Sequence, residues 1–317
     1  MNNYAKGSLS LLSARVLSGL NVNAMGYLLP LWIAPLSCVT VRLVFGAVMF
    51  WIIGIFAKPE SVAMKDKLKL VLLGGGGIFG YMSLYAVSLS HTTPVSFAIF
   101  NAMQPLWVVI ASAVIFRDSI DGRKLLGIAV GFAGAMLCIM AEPNRDVADN
   151  PLLGNMLSIA ASIIYAIYLV FSARMVGHLS SITILRYTFS SAAVVALLFS
   201  WFFGFSAPLF EGSPRLLPLS VLAFVLIFPT VITYFLIPVG LKYLSSTVVA
   251  IYGYVTLIVA SLVSFITGVD KFEPVILLSL LLIGVSIYFV GVTDKKKGKV
   301  KGYDKNNRST KKSERKI

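Results

Sequence analysis

The sequence predicts an all-α polytopic membrane protein of about ten transmembrane helices, arranged as two inverted five-helix repeats. Three observations lead there. The chain is 58% hydrophobic and only 13% charged, where soluble domains carry about a quarter charged residues. Apolar stretches of bilayer-spanning length recur from end to end, and the basic residues between them alternate in number from one loop to the next.

The spans fall at 8–28, 36–56, 69–89, 94–116, 122–140, 152–173, 181–203, 218–241, 246–267 and 274–293. They are too long and too continuous for barrel strands, and lipid demands that every backbone polar group be satisfied within the segment, so each reads as a helix. The first span follows Lys6, but it is too long for the apolar part of a signal peptide and no small-x-small site precedes Pro30. It is therefore kept as a helix. Cys38 and Cys138 both lie inside spans and read as small apolar residues, giving neither a disulfide framework nor a metal site. No cofactor is implied.

Charge sets the orientation. With both termini cytoplasmic, the inner segments hold ten basic residues (Lys6, Lys58, Lys65, Lys67, Lys69, Arg117, Arg123, Lys124, Arg174, Lys242) and the outer ones three (Arg145, Arg215, Lys271). The segment 294–317 adds eleven lysines and arginines against three acidic residues, which is +8 of the chain's +14. That composition reads as a disordered cytoplasmic tail lying on anionic lipid headgroups. Without aromatic interleaving or a folded module it is not read as a nucleic-acid binder.

Five spans per half is an odd number, so two similar halves must face opposite ways across the membrane. An offset of 152 pairs Asp118 with Asp270, Asp121 with Glu273 and Gln104 with Thr256, and Arg42-x-x-Phe45 matches Arg186-x-x-Phe189. The domains follow as a first repeat at 1–143, a connecting loop at 144–151 centred on EPNRDVADNP, a second repeat at 152–293 and the tail at 294–317. Inverted repeats of this kind hold substrate between their halves.

The phrases PLSCVTVR (35–42), SLSHTTPVSFAIFNAMQPLWVVIASAVIFRDSID (88–121), GRKLLGIAVGFAGAML (122–137) and LGNMLSIAASIIYAIYLVFSARM (153–175) resemble the EamA-type transporters of the drug/metabolite transporter superfamily. The chain departs from that pattern at Arg117-Asp118, where Gly-Glu is common, and at Leu257, which stands opposite Pro105. The resemblance implies a ten-helix carrier in the cell membrane, moving small polar metabolites such as amino acids, usually outward, and no enzyme. It also implies that the first, third, fourth, sixth, eighth and ninth helices line a central cavity.

Polar residues in spans mark the faces that avoid lipid. Taken in order they are Asn21 and Asn23 in the first span; Tyr81 and Tyr85 in the third; Phe97, Asn101 and Gln104 in the fourth, beside Pro105; Tyr165 and Tyr168 in the sixth; Tyr234 in the eighth; and Tyr252 and Thr256 in the ninth. These twelve are the expected solute contacts, with Pro105, Pro229 and Pro238 allowing bending. The plainer reading is that such amides and hydroxyls bond neighbouring helices. Amides with phenol rings suit a polar, zwitterionic or aromatic solute. Arg15, Arg42 and Arg186 read first as snorkelling side chains, and otherwise as anchors for an anionic group or a gate.

All thirteen Asp and Glu fall in loops, span ends or the tail, and His91 and His178 at span ends. A membrane enzyme would need a buried acid/base or nucleophile cluster that the spans do not supply. A non-transporting receptor or partner-binding protein would need a folded soluble part. Gly74–Gly77 lacks the Lys-Ser/Thr of a phosphate loop, and Gly76/Gly80 and Gly127/Gly131 read as close helix contacts, with a homodimer face as the alternative.

Overall fold

The computed structural model describes residues 3–117, 122–141, 149–211 and 215–270, with helical positions between 274 and 289. Among them there is no strand. The helices are α1 (Asn3–Leu28), α2 (Pro35–Ile55), α3 (Met64–Leu89), α4 (Pro94–Phe116), α5 (Gly122–Ala141), α6 (Pro151–Met175), α7 (Ser181–Phe203), α8 (Leu216–Tyr243) and α9 (Ser246–Thr267). Seven of these (α2, α3, α4, α6, α7, α8 and α9) are long and apolar enough to cross a bilayer. The expected count of ten is thus met only in part. At 26 residues α1 has the length, but Lys6, Arg15, Asn21, Asn23 and several serines lower its apolar content. The 274–293 span falls partly outside the described residues, as do Asp118, Asp121, Arg145, Lys271, Glu273 and the whole 294–317 tail.

Apolar side chains fill the core and cover much of the outside as well. Side chains such as Ile55, Phe56, Val114, Leu216 and Ile266 are exposed, and Trp201, Phe202 and Phe203 at the end of α7 stand 84%, 76% and 75% open. A rim of aromatic rings at a helix end is where a headgroup layer would sit.

Helices of the first half pack mainly on helices of the second. α1 lies against α8 and α9, and correspondingly α6 lies against α3 and α4. α2 meets α7, and α4 meets α9. Each first-half contact has its second-half counterpart, which is how two copies of one unit related by a two-fold axis pack. Short polar clips hold these seams: Thr40 to Ser200 at 2.7 Å between α2 and α7, and Ser88 to Ser158 at 2.6 Å between α3 and α6.

The irregularities repeat as well. α3 widens to π-helix over Leu73–Ile78, and α8 does so over Leu226–Ile232, the third helix of each half. In α8 the cause is Pro229, which has no N–H to donate to the ladder. In α3 it coincides with Gly74–Gly77. A Cβ on Gly74 would collide with the Thr188 carbonyl and Ser191 hydroxyl and lie 2.7 Å from the Thr188 Cα, so only glycine admits α7 this close. Gly76, expected to make such a contact, faces open space instead.

The fourth helices are broken. α4 stops at Asn101 and restarts at Gln104, with Pro105 in the first turn of the new segment; α9 breaks at Tyr252. Asp270, buried just past α9, accepts from the Val95 amide at 3.2 Å and from the Ser264 hydroxyl at 2.6 Å, tying the start of α4 to the end of α9. On the α2–α3 loop, Glu60 accepts from the Ser180 amide at the start of α7. Burial pushes its carboxyl up, but hydrogen bonds from Thr183 and Ser180 outweigh that and hold it below the usual value.

Candidate functional site

One cavity of about 40 Å³ lies between the halves, room for roughly two or three water molecules, and the α4 break (Asn101) and the α8 π segment (Pro229) reach its wall. Its walls come from α1 (Arg15, Ser18, Asn21, Val22), α2 (Arg42), α3 (Tyr81, Met82, Tyr85), α4 (Asn101), α6 (Tyr165), α8 (Pro229, Thr233, Tyr234, Ile237) and α9 (Thr256). Those are the six helices the resemblance implies, with α2 added through Arg42.

Seven of the twelve expected side chains meet there: Asn21, Tyr81, Tyr85, Asn101, Tyr165, Tyr234 and Thr256. The rings form one aromatic wall. Tyr81 lies 4.4 Å from Tyr165 and 5.9 Å from Tyr85, centroid to centroid. Asn21 Nδ2 donates to the Tyr85 hydroxyl at 2.9 Å, which leaves Asn21 Oδ1 without an acceptor role filled; Asn101 Oδ1 is likewise buried and unpartnered. Buried polar atoms are nearly always satisfied, and these two belong to residues that line a cavity where water or a solute can supply the partner.

Five expected contacts lie elsewhere, each for a physical reason. Asn23 sits two residues from Asn21, about 200° around the helix, and clips α1 to α9 by donating to the Ala260 carbonyl at 3.0 Å. Phe97 stands edge-on behind Tyr85 at 4.6 Å, and Tyr168 stacks behind Tyr165 at 5.8 Å. Both support the aromatic wall without facing the cavity. Tyr252 occupies the α9 break. Gln104 is buried and accepts from Arg15 Nη2 at 3.4 Å, so it steadies a lining residue instead of lining the cavity itself.

The arginines divide. Arg186 stacks on Trp51 at 3.9 Å near the end of α2. Arg15 and Arg42 do not snorkel: each is 3% exposed and faces the cavity. Arg15 Nη2 also donates to the Val249 carbonyl at 3.0 Å, beside the α9 break. Arg42 Nε donates to the Thr230 hydroxyl at 3.0 Å, and that hydroxyl in turn donates to the Val225 carbonyl at 2.8 Å. The π segment of α8 thus aims Thr230 at Arg42. An arginine in mid-span with no acidic residue nearby in sequence is the signal that marks both. Among the described residues no cluster of His, Cys, Asp and Glu could hold a metal ion.

The description "EamA-like transporter family" fits residues 5–140 and again 152–292. The chain is 26% identical over 279 residues to the uncharacterized transporter YyaM of Bacillus subtilis, spanning 87% of this chain and 90% of that one. It is also 26% identical over 220 residues to the uncharacterized transporter YetK of the same organism, spanning 67% of this chain and 64% of that protein. An uncharacterized transporter of Archaeoglobus fulgidus shares 26% over 220 residues, covering 68% and 72% of the two chains. A solved crystal structure superposes with a TM-score of 0.67 at 16% identity, over 92% of this chain and 98% of its own. At that identity the likeness concerns the fold.

Proposed function

The chain belongs to the EamA-like transporter family, a multi-pass membrane protein whose family unit occurs twice, and from that premise we propose that it carries a small polar metabolite through the central cavity by alternating access. The observation that supports this reading most is one polar cavity walled by both halves, which the α4 break reaches at Asn101 and the π segment of α8 at Pro229, with unpartnered atoms of Arg15, Asn21 and Asn101 around it. Irregular backbone at membrane depth is tolerated where it lines a watery space. A cavity of this size is too small for a metabolite, so the halves must part to admit one, first to one side and then to the other. The two repeats lie in opposite orientation, with both termini cytoplasmic and the protein in the cell membrane.

The test is solute flux in proteoliposomes. Wild-type protein should release at least one small polar solute faster than protein-free vesicles, and Asn101→Leu should lower that rate at least about ten-fold with unchanged folding and insertion. Unaltered flux in Asn101→Leu would remove this site assignment. Absence of any flux from the wild type would leave a receptor or partner-binding role.

A further inference from the structure

We propose that the carried solute is a small organic dianion, held between Arg15 and Arg42; this rests on reading the central cavity as the transport site. Both residues are 3% exposed and come from α1 and α2 onto the same cavity. Every acceptor they have is neutral. Arg15 bonds the Gln104 amide and the Val249 carbonyl, Arg42 bonds the Thr230 hydroxyl and touches the Met25 sulfur at 3.7 Å, and Arg15 Nε is buried with no acceptor at all. Among the described residues no Asp, Glu or His lines the cavity.

A guanidinium stays charged at any physiological pH. Burying one without a counter-charge costs several kcal/mol, and two facing one small cavity repel each other as well. Ionisable groups inside a membrane persist at that cost where function requires them. The missing charge must therefore arrive with the solute.

Net charge then discriminates between solute classes. A cation is repelled. A zwitterion brings no net charge and leaves the cavity at +2. A dianion cancels it, and two acidic groups can each engage one planar fork of donors. The remaining walls agree: the hydroxyls of Tyr81, Tyr165 and Tyr234 can donate to oxyanion oxygens, while Asn21 Oδ1 and Asn101 Oδ1 are left to accept from a hydroxyl on the solute's own skeleton. Dicarboxylates and phosphate monoesters share this chemistry.

The experiment reads the charge of what moves. Proteoliposomes are loaded with a small-molecule cell extract supplemented with succinate, 2-oxoglutarate, glycerol 3-phosphate, alanine, phenylalanine and putrescine. Compounds lost faster than from protein-free vesicles are identified by mass spectrometry. The expected result is loss of compounds of charge −2, slowed at least about ten-fold in Arg42→Gln and partly restored in Arg42→Lys. Selective loss of zwitterions or cations, abolished by Asn101→Leu, overturns the dianion assignment and leaves the cavity reading standing. Loss of nothing overturns both. Should Arg42→Gln fail to fold, the charge of the compounds released by the wild type still decides.

Discussion

Gln104 does not line the cavity, yet among the described residues its carbonyl oxygen is one of two acceptors bonded to Arg15, itself on the wall. Gln104→Leu keeps the volume and removes that acceptor. The expected outcome is a KM raised about five- to ten-fold with a smaller change in maximal rate, measured as flux against solute concentration. Kinetics equal to wild type would reduce the amide to packing. At this scale the sequence reading was partly sufficient. Amides in mid-span are costly in lipid, so Asn21 and Asn101 announce themselves. Helical spacing gives a face but not the neighbour that face meets, so it groups Phe97 and Tyr168 with rings that they only support from behind. Arg15 and Arg42 stood out by charge, but their destination depended on helix pairings no single span encodes.

The break of α4 and the widened turn of α8 stand at the cavity, while the widened turn of α3 and the break of α9 lie outside its wall. Part of this was legible. Pro105 and Pro229 foretold disturbance in α4 and α8, because proline removes a donor wherever it sits. The break at Tyr252 carries no proline and comes instead just before Gly253, so nothing local distinguished it from continuous helix. In the glycine run of α3 the spacing points to Gly76, but the close approach is at Gly74, against α7. Gly74→Ala should therefore destabilise the protein by roughly 1–3 kcal/mol or more through overpacking. Gly76→Ala, which meets open space, should stay within about 0.5 kcal/mol of wild type. Thermal unfolding in detergent compares the two, and equal melting temperatures would rule out the α3–α7 contact described here.

For the molecule as a whole, hydropathy and the alternation of basic loops carried the fold class, because span length and lipid-facing surface are properties of composition. The reciprocal pairing of α1 with α8 and of α6 with α3 was not visible in a few scattered matches at offset 152, since packing preserves geometry long after side chains have diverged. Orientation is open to direct measurement. In a protein whose native cysteines are replaced, Lys58→Cys on the α2–α3 loop should react with a membrane-impermeant maleimide only from the cytoplasmic side, and Phe210→Cys only from outside. The reverse pattern would invert the molecule in the bilayer. The π segments bear on what such a molecule can do once it is anchored there. A wide turn contains one spare residue, and passing it along by one position swivels the intervening backbone by about 100° while both ends stay where they are. Under the proposed alternation, such a shift would turn Tyr81 while Lys69 and Asp66, on the far side of the wide turn, keep their depth in the membrane, so each half would hold its own pivot.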